Sequence, residues 1–405
     1  MCRYSIALAL CFGILACGDN CRASESPLAE KYLLSGQLAE GQRALEAELQ
    51  KNGSDDQARF GLGVVQFLRA IEHLGQSLHR YGLRSDRGQQ LGVPFLRLPV
   101  PVNENPEKLT YAASRKILEE MIADLQAADA TLGGVKNEDV KLPLHLIGVR
   151  FDMDGNGNPE EPLLAVLSRY MGGRSGVRGD DALQITFDRG DVAWLRGYSN
   201  LLMAFAEVAL AHDGQQLFDH TAHLVFANVE AKYPFLEDKE NDLTWNIVDL
   251  VAMIHLLRLP VCEPARMKAA LGHLEQMIVL SRESWKCILA ETDDDHEWIP
   301  NPKQHAVIGV GVQQEMVDGW LGFLGEAEKL LSGQSLIPFW RGHEARGVNL
   351  KRVFTEPNDF DLVLWVQGTA AVPYLEAGNV TDKRVWERLQ RVFRGEFIGF
   401  ALWFN

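Results

Sequence analysis

Asp152, Asp154 and Asn156 are the first residues whose types and spacing invite chemistry. They alternate along Asp152-Met153-Asp154-Gly155-Asn156-Gly157-Asn158-Pro159-Glu160-Glu161. In a tight turn, alternate side chains face one centre, so three oxygen-bearing groups converge. Asn158 can add its backbone carbonyl, and Glu160 and Glu161 follow within reach. A hard cation wants about six to eight such oxygens, which makes calcium the expected ligand. The competing account is an Asx-rich turn whose Glu160 and Glu161 merely suit the first turn of a helix.

A second acidic stretch is Glu291-Thr292-Asp293-Asp294-Asp295-His296-Glu297-Trp298. It follows the end of an expected helix, where carbonyl groups already supply negative partial charge. Local rules tend to be broken at functional sites. Asp293, Asp294, Asp295, His296 and Glu297 therefore form a candidate ligand- or cation-facing loop, with Trp298 as its apolar wall. The competing account is a solvated turn closed by Pro300 and Pro302. Two further groups are weighed and set lower. Asp219, His220 and His223 share a helix and could hold a metal, but Asp219 as a helix cap and neutral surface histidines account for them better. Trp194, Arg196 and Tyr198 could clamp an anion, but such a run is more often a packed face with an ion-paired arginine. Nucleotide and hydrolase signatures fail. Gly61-Leu62-Gly63 and Gly309-Val310-Gly311 lack a third glycine, and His343-Glu344 lacks the second histidine of a metalloprotease helix. Gly173-Arg174-Ser175-Gly176 has the wrong spacing for a nucleophile elbow.

The first stretch resembles the opening half of an EF-hand loop spanning 152–163. Asp152, Asp154 and Asn156 match its side-chain ligands at positions one, three and five. Gly157 matches the sharp turn at six, Asn158 the carbonyl at seven, and Glu160 position nine. Leu163 stands at the twelfth position instead of the usual glutamate, and Glu161 is the candidate substitute. The preceding segment reads as a strand, so the resemblance implies a structural site of modest affinity and not a paired sensor.

These loops need elements to hold them. Residues Leu28–Ser35, Gly36-Gln37-Leu38-Ala39-Glu40-Gly41, Leu45 and the break at Gly53 resemble a tetratricopeptide repeat, with a second start at Ala58 and Leu62-Gly63. The resemblance covers Leu28 to Leu78 within a segment at 24–80 and implies helical pairs, not an activity. Only about one and a half repeats are visible, so the segment must pack on the body of the chain beyond it. Residues 81–107 carry too many prolines and glycines for a helix and read as an ordered loop, with Phe95, Leu96, Leu98 and Val100 needing cover. The body at 108–405 reads as helical. Apolar spacing places helices at 110–132, 160–171, 188–211, 215–229, 244–258, 264–291 and 312–331. Strands are expected at 142–151 and 184–187, paired with each other. In the tail, 347–354 reads as extended, 359–371 and 381–393 as helical, and 397–404 as extended. The fold class is mainly α: a helical-repeat-like N-terminal segment packed on a larger α-helical body with a few short β-strands. Cys262 and Cys287 lie at opposite ends of one expected helix, roughly 35 Å apart, too far for a disulfide.

Composition bounds the rest. The chain has 405 residues, 46% hydrophobic and 23% charged, with a net charge of −15. Such a surface repels phosphate backbones, so nucleic acid is not an expected partner, and anionic membranes are poor ones. Residues 1–23 read as a signal peptide, with an apolar run at Tyr4–Ala16 too short to span a bilayer. Ile14-Leu15-Ala16-Cys17 resembles a bacterial lipobox that would lipidate Cys17, while Cys21-Arg22-Ala23 suits ordinary signal peptidase. Either cleavage leaves a net charge of −16 (39 Lys+Arg against 55 Asp+Glu, or 38 against 54). The expected location is exported, periplasmic or lipid-anchored in the bacterial envelope, with no transmembrane helix in the mature chain. Two functions are compatible with these residues. One is a non-catalytic, calcium-binding helical scaffold for a protein or cell-envelope partner. The other is a periplasmic hydrolase using the acidic/His run 293–297, which would need two carboxylates about 5 to 9.5 Å apart in a cleft.

Overall fold

A computed structural model describes residues 26–86, 96, 98–170, 184–230, 232–237, 243–305, 307, 311–341 and 346–382. Three helices open it: α1 (Leu28–Ser35), α2 (Leu38–Lys51) and α3 (Asp56–Arg80). Gly36 ends α1 in the left-handed region at φ 66°, where glycine carries no Cβ penalty. A side chain here would also run into Pro159. Gly41 lies against Tyr32, and a Cβ on it would sit 2.6 Å from the Tyr32 Cβ. The small residue is what lets α1 and α2 approach. Gly36→Ala should therefore cost about 1–2 kcal/mol from the backbone conformation alone, measured by chemical denaturation. An unchanged midpoint would show that the turn relaxes freely.

The long helices form a row of packed neighbours. After α3 come α4 (Tyr111–Leu132), α6 (Arg189–Ala211), α9 (Pro264–Ala290) and α10 (Gln314–Leu331). Two shorter helices lie between them, α5 (Leu163–Tyr170) and α7 (Gln215–Val225), followed by α8 (Leu243–Leu256). Thr110 caps α4 through a bond from the Ala113 amide. Pairs down the row show the packing. Arg196 of α6 meets Asp129 of α4 at 2.7 Å. Gly190 lies against Ile288, Asn200 against His273, and Ala211 against Cys262. These last three contacts run α6 and α9 in opposite directions along their full length. Trp320 of α10 then donates to Ser281 of α9 at 3.1 Å. A continuous core fills the row, with Phe60, Trp285 and Trp320 among its most buried side chains. The fold is mainly α, as expected, with only short antiparallel strand pairs among the described residues.

Several boundaries differ from the sequence expectation. The stretch 142–151 is not one strand. It divides into β1 (Leu142–His145), a 3-10 turn (Leu146–Gly148) and β2 (Arg150–Phe151). The turn redirects the chain: β1 pairs with β4 (Gln184–Phe187), as expected, while β2 pairs with β3 (Glu161–Pro162). Glu160 and Glu161 therefore do not start a helix. Pairing with Phe151 holds Glu161 extended, and α5 begins at Leu163, whose amide bonds Val149. Helix α7 stops at Val225 instead of 229, because Phe226 and Val229 peel away to bridge Leu83 and Leu109. Asp219 does not cap α7. It lies inside the helix, bonded by Gln215 and paired with Lys232.

Helix α8 ends at Leu256, and β5 (Arg258–Leu259) pairs with β8 (Phe360–Asp361). Expected extended structure at 347–354 is instead β7 (Arg346–Val348) followed by α11 (Leu350–Thr355), because Asn349 caps the helix by accepting from the Arg352 amide. The helix expected at 359–371 is only α12 (Leu362–Gln367), stopped by Gly368 at φ 105°. A 3-10 turn over Thr369–Tyr374 succeeds it. Strand β6 (Ile337–Pro338) pairs with β7, which pairs with β9 (Leu375–Ala377). Around this sheet Val348, Ala371 and Tyr374 form a small separate core.

In the stretch 81–107 Leu98 and Val100 are buried, while Phe95 lies outside the described residues. The segments expected at 1–23, 381–393 and 397–404 lie outside them too, apart from Thr381 and Asp382. Cys262 and Cys287 are both free thiols. No helix among the described residues is long and apolar enough to cross a membrane.

Candidate metal centre

The loop between β2 and β3 is closed at its ends by the strand pair, so 152–160 must turn back on itself. Gly155 at φ 73° and Gly157 at φ 86° make that turn. Asp152 accepts from the amides of Asn156 at 3.1 Å and Gly157 at 2.9 Å. Asp154 accepts from the same Asn156 amide at 3.2 Å, and Asn156 Oδ1 accepts from Asn158 at 2.6 Å. Two carboxylates thus share one donor. Among the described residues, no lysine, arginine or histidine pairs with either carboxylate.

The loop is fastened to the body from behind. Met153 is buried and occupies the space that Gly75 of α3 leaves open. Gln76 of α3 donates to the Asp152 carbonyl at 2.8 Å, and the Asp152 amide donates to Glu72 at 2.9 Å. Glu72 is buried, and burial, with the charge of Asp152 adding to it, pushes its carboxyl up to about 7. Asn158 and Glu160 are exposed on the outer rim. Asp152 and Asp154 make no three-carboxylate group with Glu160 or Glu161. The loop therefore offers two carboxylates, one amide oxygen and backbone carbonyls.

The acidic run divides in two. Asp293 and Asp295 face outward onto Lys141, at 2.5 and 3.2 Å. Burial opposes the charge on Lys141, yet these two partners hold it above its usual range. The hydrogen bond from Lys141 holds Asp293 below the usual carboxylate range. His305 does the same for Asp294, through its ring and its amide. His296 adopts φ 64°, and its carbonyl accepts from Thr186 of β4. This reversal turns Glu297 inward. Trp298 is not an open wall. It is buried, with its ring centre 5.7 Å from Trp194 and 5.8 Å from Phe187.

Glu297 turns toward Asp188 and Glu291. Among the described residues these three form the one acidic group whose ligand oxygens all lie within 4.8 Å of one another. Asp188 caps α6, and Asp191 bonds back to the Asp188 amide at 2.9 Å. Asp191 is fully buried, and burial together with the Asp188 charge pushes its carboxyl well up. Burial and the charge of Asp188 push Glu291 up to about 9. Burial, with Asp188 and Asp293 adding to it, pushes Glu297 up to about 7. At neutral pH the cluster holds protons, and a divalent cation would compete for their place.

The antiparallel packing explains the location. The acidic end of α9 lies beside the N-terminus of α6, where positive partial charge favours carboxylates. Asn301 donates to the Ile288 and Glu291 carbonyls and so satisfies the end of α9. Sequence reasoning missed Asp191, and it placed Asp188 only at the start of a helix. The Asp-x-x-Asp capping spacing at 188–191 is the signal that marks them. Glu72 carried no local signal.

The two remaining candidate groups are accounted for by packing. The Trp194 and Tyr198 rings lie 5.6 Å apart, tilted by 32°, beside the ion-paired Arg196. His220 lies against Tyr233 and bonds the Gln216 carbonyl. The molecule is a mainly α protein with two carboxylate-rich turns, one at the edge of α3 and one at the head of α6. No protein-family model, curated protein or solved structure matches the chain.

Proposed function

We propose that the chain is an exported, calcium-stabilised helical scaffold that holds a protein or cell-envelope partner and performs no catalysis. One observation carries the reading: Asp152 and Asp154 both turn an oxygen to the Asn156 amide, and among the described residues no cationic side chain pairs with either. A hard cation relieves that repulsion and uses the remaining lone pairs. Its role is structural, since the loop joins β2, β3, α3 and, through Pro159, the Gly36 turn. The N-terminal helical pairs are the kind of element that presents an extended surface to partners. Export rests on the leader-like residues 1–23.

The convergence of Asp188, Glu291 and Glu297 is the alternative position for the cation, in place of the loop. The hydrolase alternative has less support. Asp293, Asp294 and Asp295 are engaged by Lys141 and His305, and Glu297 is buried away from substrate.

Thermal melting with and without calcium tests the reading. Millimolar calcium should raise the melting temperature, because a ligand at 100 times its Kd adds about 2.7 kcal/mol to the folded state. Asp152→Ala or Asp154→Ala should remove the shift and Glu291→Gln should keep it. The reverse pattern would move the cation to the head of α6. No shift in the unaltered chain would defeat both positions.

A further inference from the structure

Among the described residues, two neighbouring helices carry exposed apolar side chains. On α8, Ile247, Val248, Val251 and Ile254 are 55%, 48%, 61% and 42% exposed. They recur at helical spacing and so form one face. On α12, Val363, Leu364 and Val366 are also exposed. The two helices are neighbours: the Leu362 amide donates to Leu257, just past the end of α8, and β5 pairs with β8 beside them. Exposed apolar faces on two neighbouring helices mark a docking site.

The chain itself supplies a fitting occupant. The described residues end at Asp382, where Val380 and Thr381 are tied to Leu336 beside the β6–β7–β9 sheet. Trp340, just past β6, donates to the Val366 carbonyl of α12. Residues 383–405 thus depart from the unit that carries half of the apolar face. Val385, Trp386, Leu389, Val392 and Phe393 repeat at helical spacing, and Phe397 and Trp403 come after them. An amphipathic helix of this pattern seats its apolar stripe against an apolar surface. Charge agrees. The segment holds five Lys+Arg and two Glu, leaving −18 on the other residues (35 Lys+Arg against 53 Asp+Glu). Asp359 and Asp361 flank the face on the β8 side. Reach is ample, at about 1.5 Å per helical residue and ~3.3 Å per extended one.

We propose that residues 383–405 dock on the apolar face of α8 and α12 and cover it within the same chain. Side-chain footprinting of the purified full-length chain tests this, alongside Leu389→Asp/Phe393→Asp and, separately, Val251→Asp. In the unaltered chain Ile247, Val251 and Ile254 should label slowly, at a rate independent of protein concentration. The double variant should label them several-fold faster while its helix content is retained. Val251→Asp should speed labelling of Phe393 and Phe397, which reads the same contact from the other side. Rapid labelling of α8 in the unaltered chain would overturn the proposal, as would no change in either variant. Protection that grows with concentration, together with a dimer in sedimentation, would assign the face to a second copy and also overturn it.

Discussion

Stability should fall as pH rises from 6 to 9 in chelator-treated protein. Glu291 is pushed up to about 9, and Glu297 and Glu72 to about 7, all from an ordinary value of 4.5. Asp191 shifts the same way. The folded chain therefore keeps protons that the unfolded chain has released above about pH 5. Stability rises with pH only where the unfolded state binds more protons, and here it binds fewer. The contribution is fully present below the unfolded values and is lost as pH passes through the raised values of Glu297 and Glu72 and then that of Glu291. One pKa unit is about 1.4 kcal/mol. Allowing for partial exposure of the groups, the loss over this range is about 3 kcal/mol. Chemical denaturation at several pH values measures it. Glu291→Gln with Glu297→Gln should flatten most of the slope and leave the part due to Glu72. A slope unchanged in that double variant would remove the proton-holding role of the cluster.

Arg266→Ala should be the most damaging single change outside the apolar core, costing about 3–5 kcal/mol. Arg266 stands at the start of α9 and bonds Glu207 of α6 at 3.1 Å, Glu119 of α4 at 3.0 Å and Glu263 at 2.7 Å. It thus ties three helices of the row. Glu207 is buried, so losing its partner leaves an uncompensated carboxylate, the costly way to break such a pair. Arg266→Ala with Glu207→Gln should recover a substantial part of the loss. If the single variant unfolds at the wild-type denaturant concentration, water replaces the arginine and the row is held by apolar packing alone.

The helical plan was legible in the sequence because the long helices carry an apolar stripe at helical spacing. Thus α4, α6, α9 and α10 begin and end within two residues of the expected positions. The misread segments were short ones, where a single contact outweighs local pattern. Asn349 caps a helix in a stretch rich in β-formers, and pairing with Phe151 holds Glu161 extended in a stretch that reads as helix. The acidic run was legible as a local anomaly but not in its consequence. Its three aspartates stand out, yet their oxygens go to Lys141 and His305. The buried carboxyls are Glu297 and Asp191, brought together with Glu291 and Asp188 only because α9 runs antiparallel to α6. A pairing between residues so far apart in the chain leaves no local trace. The loop at 152–161 shows the converse: its spacing was visible at once, but Glu72 and Gln76, which hold it from α3, were not.

Calorimetric titration of calcium into the purified chain tests the central claim most directly. Asp152, Asp154 and Asn156 should bind calcium with modest affinity, and Asp154→Ala should abolish the heat. Absence of binding at millimolar calcium, in a chain that melts identically with and without it, would contradict a calcium-stabilised scaffold.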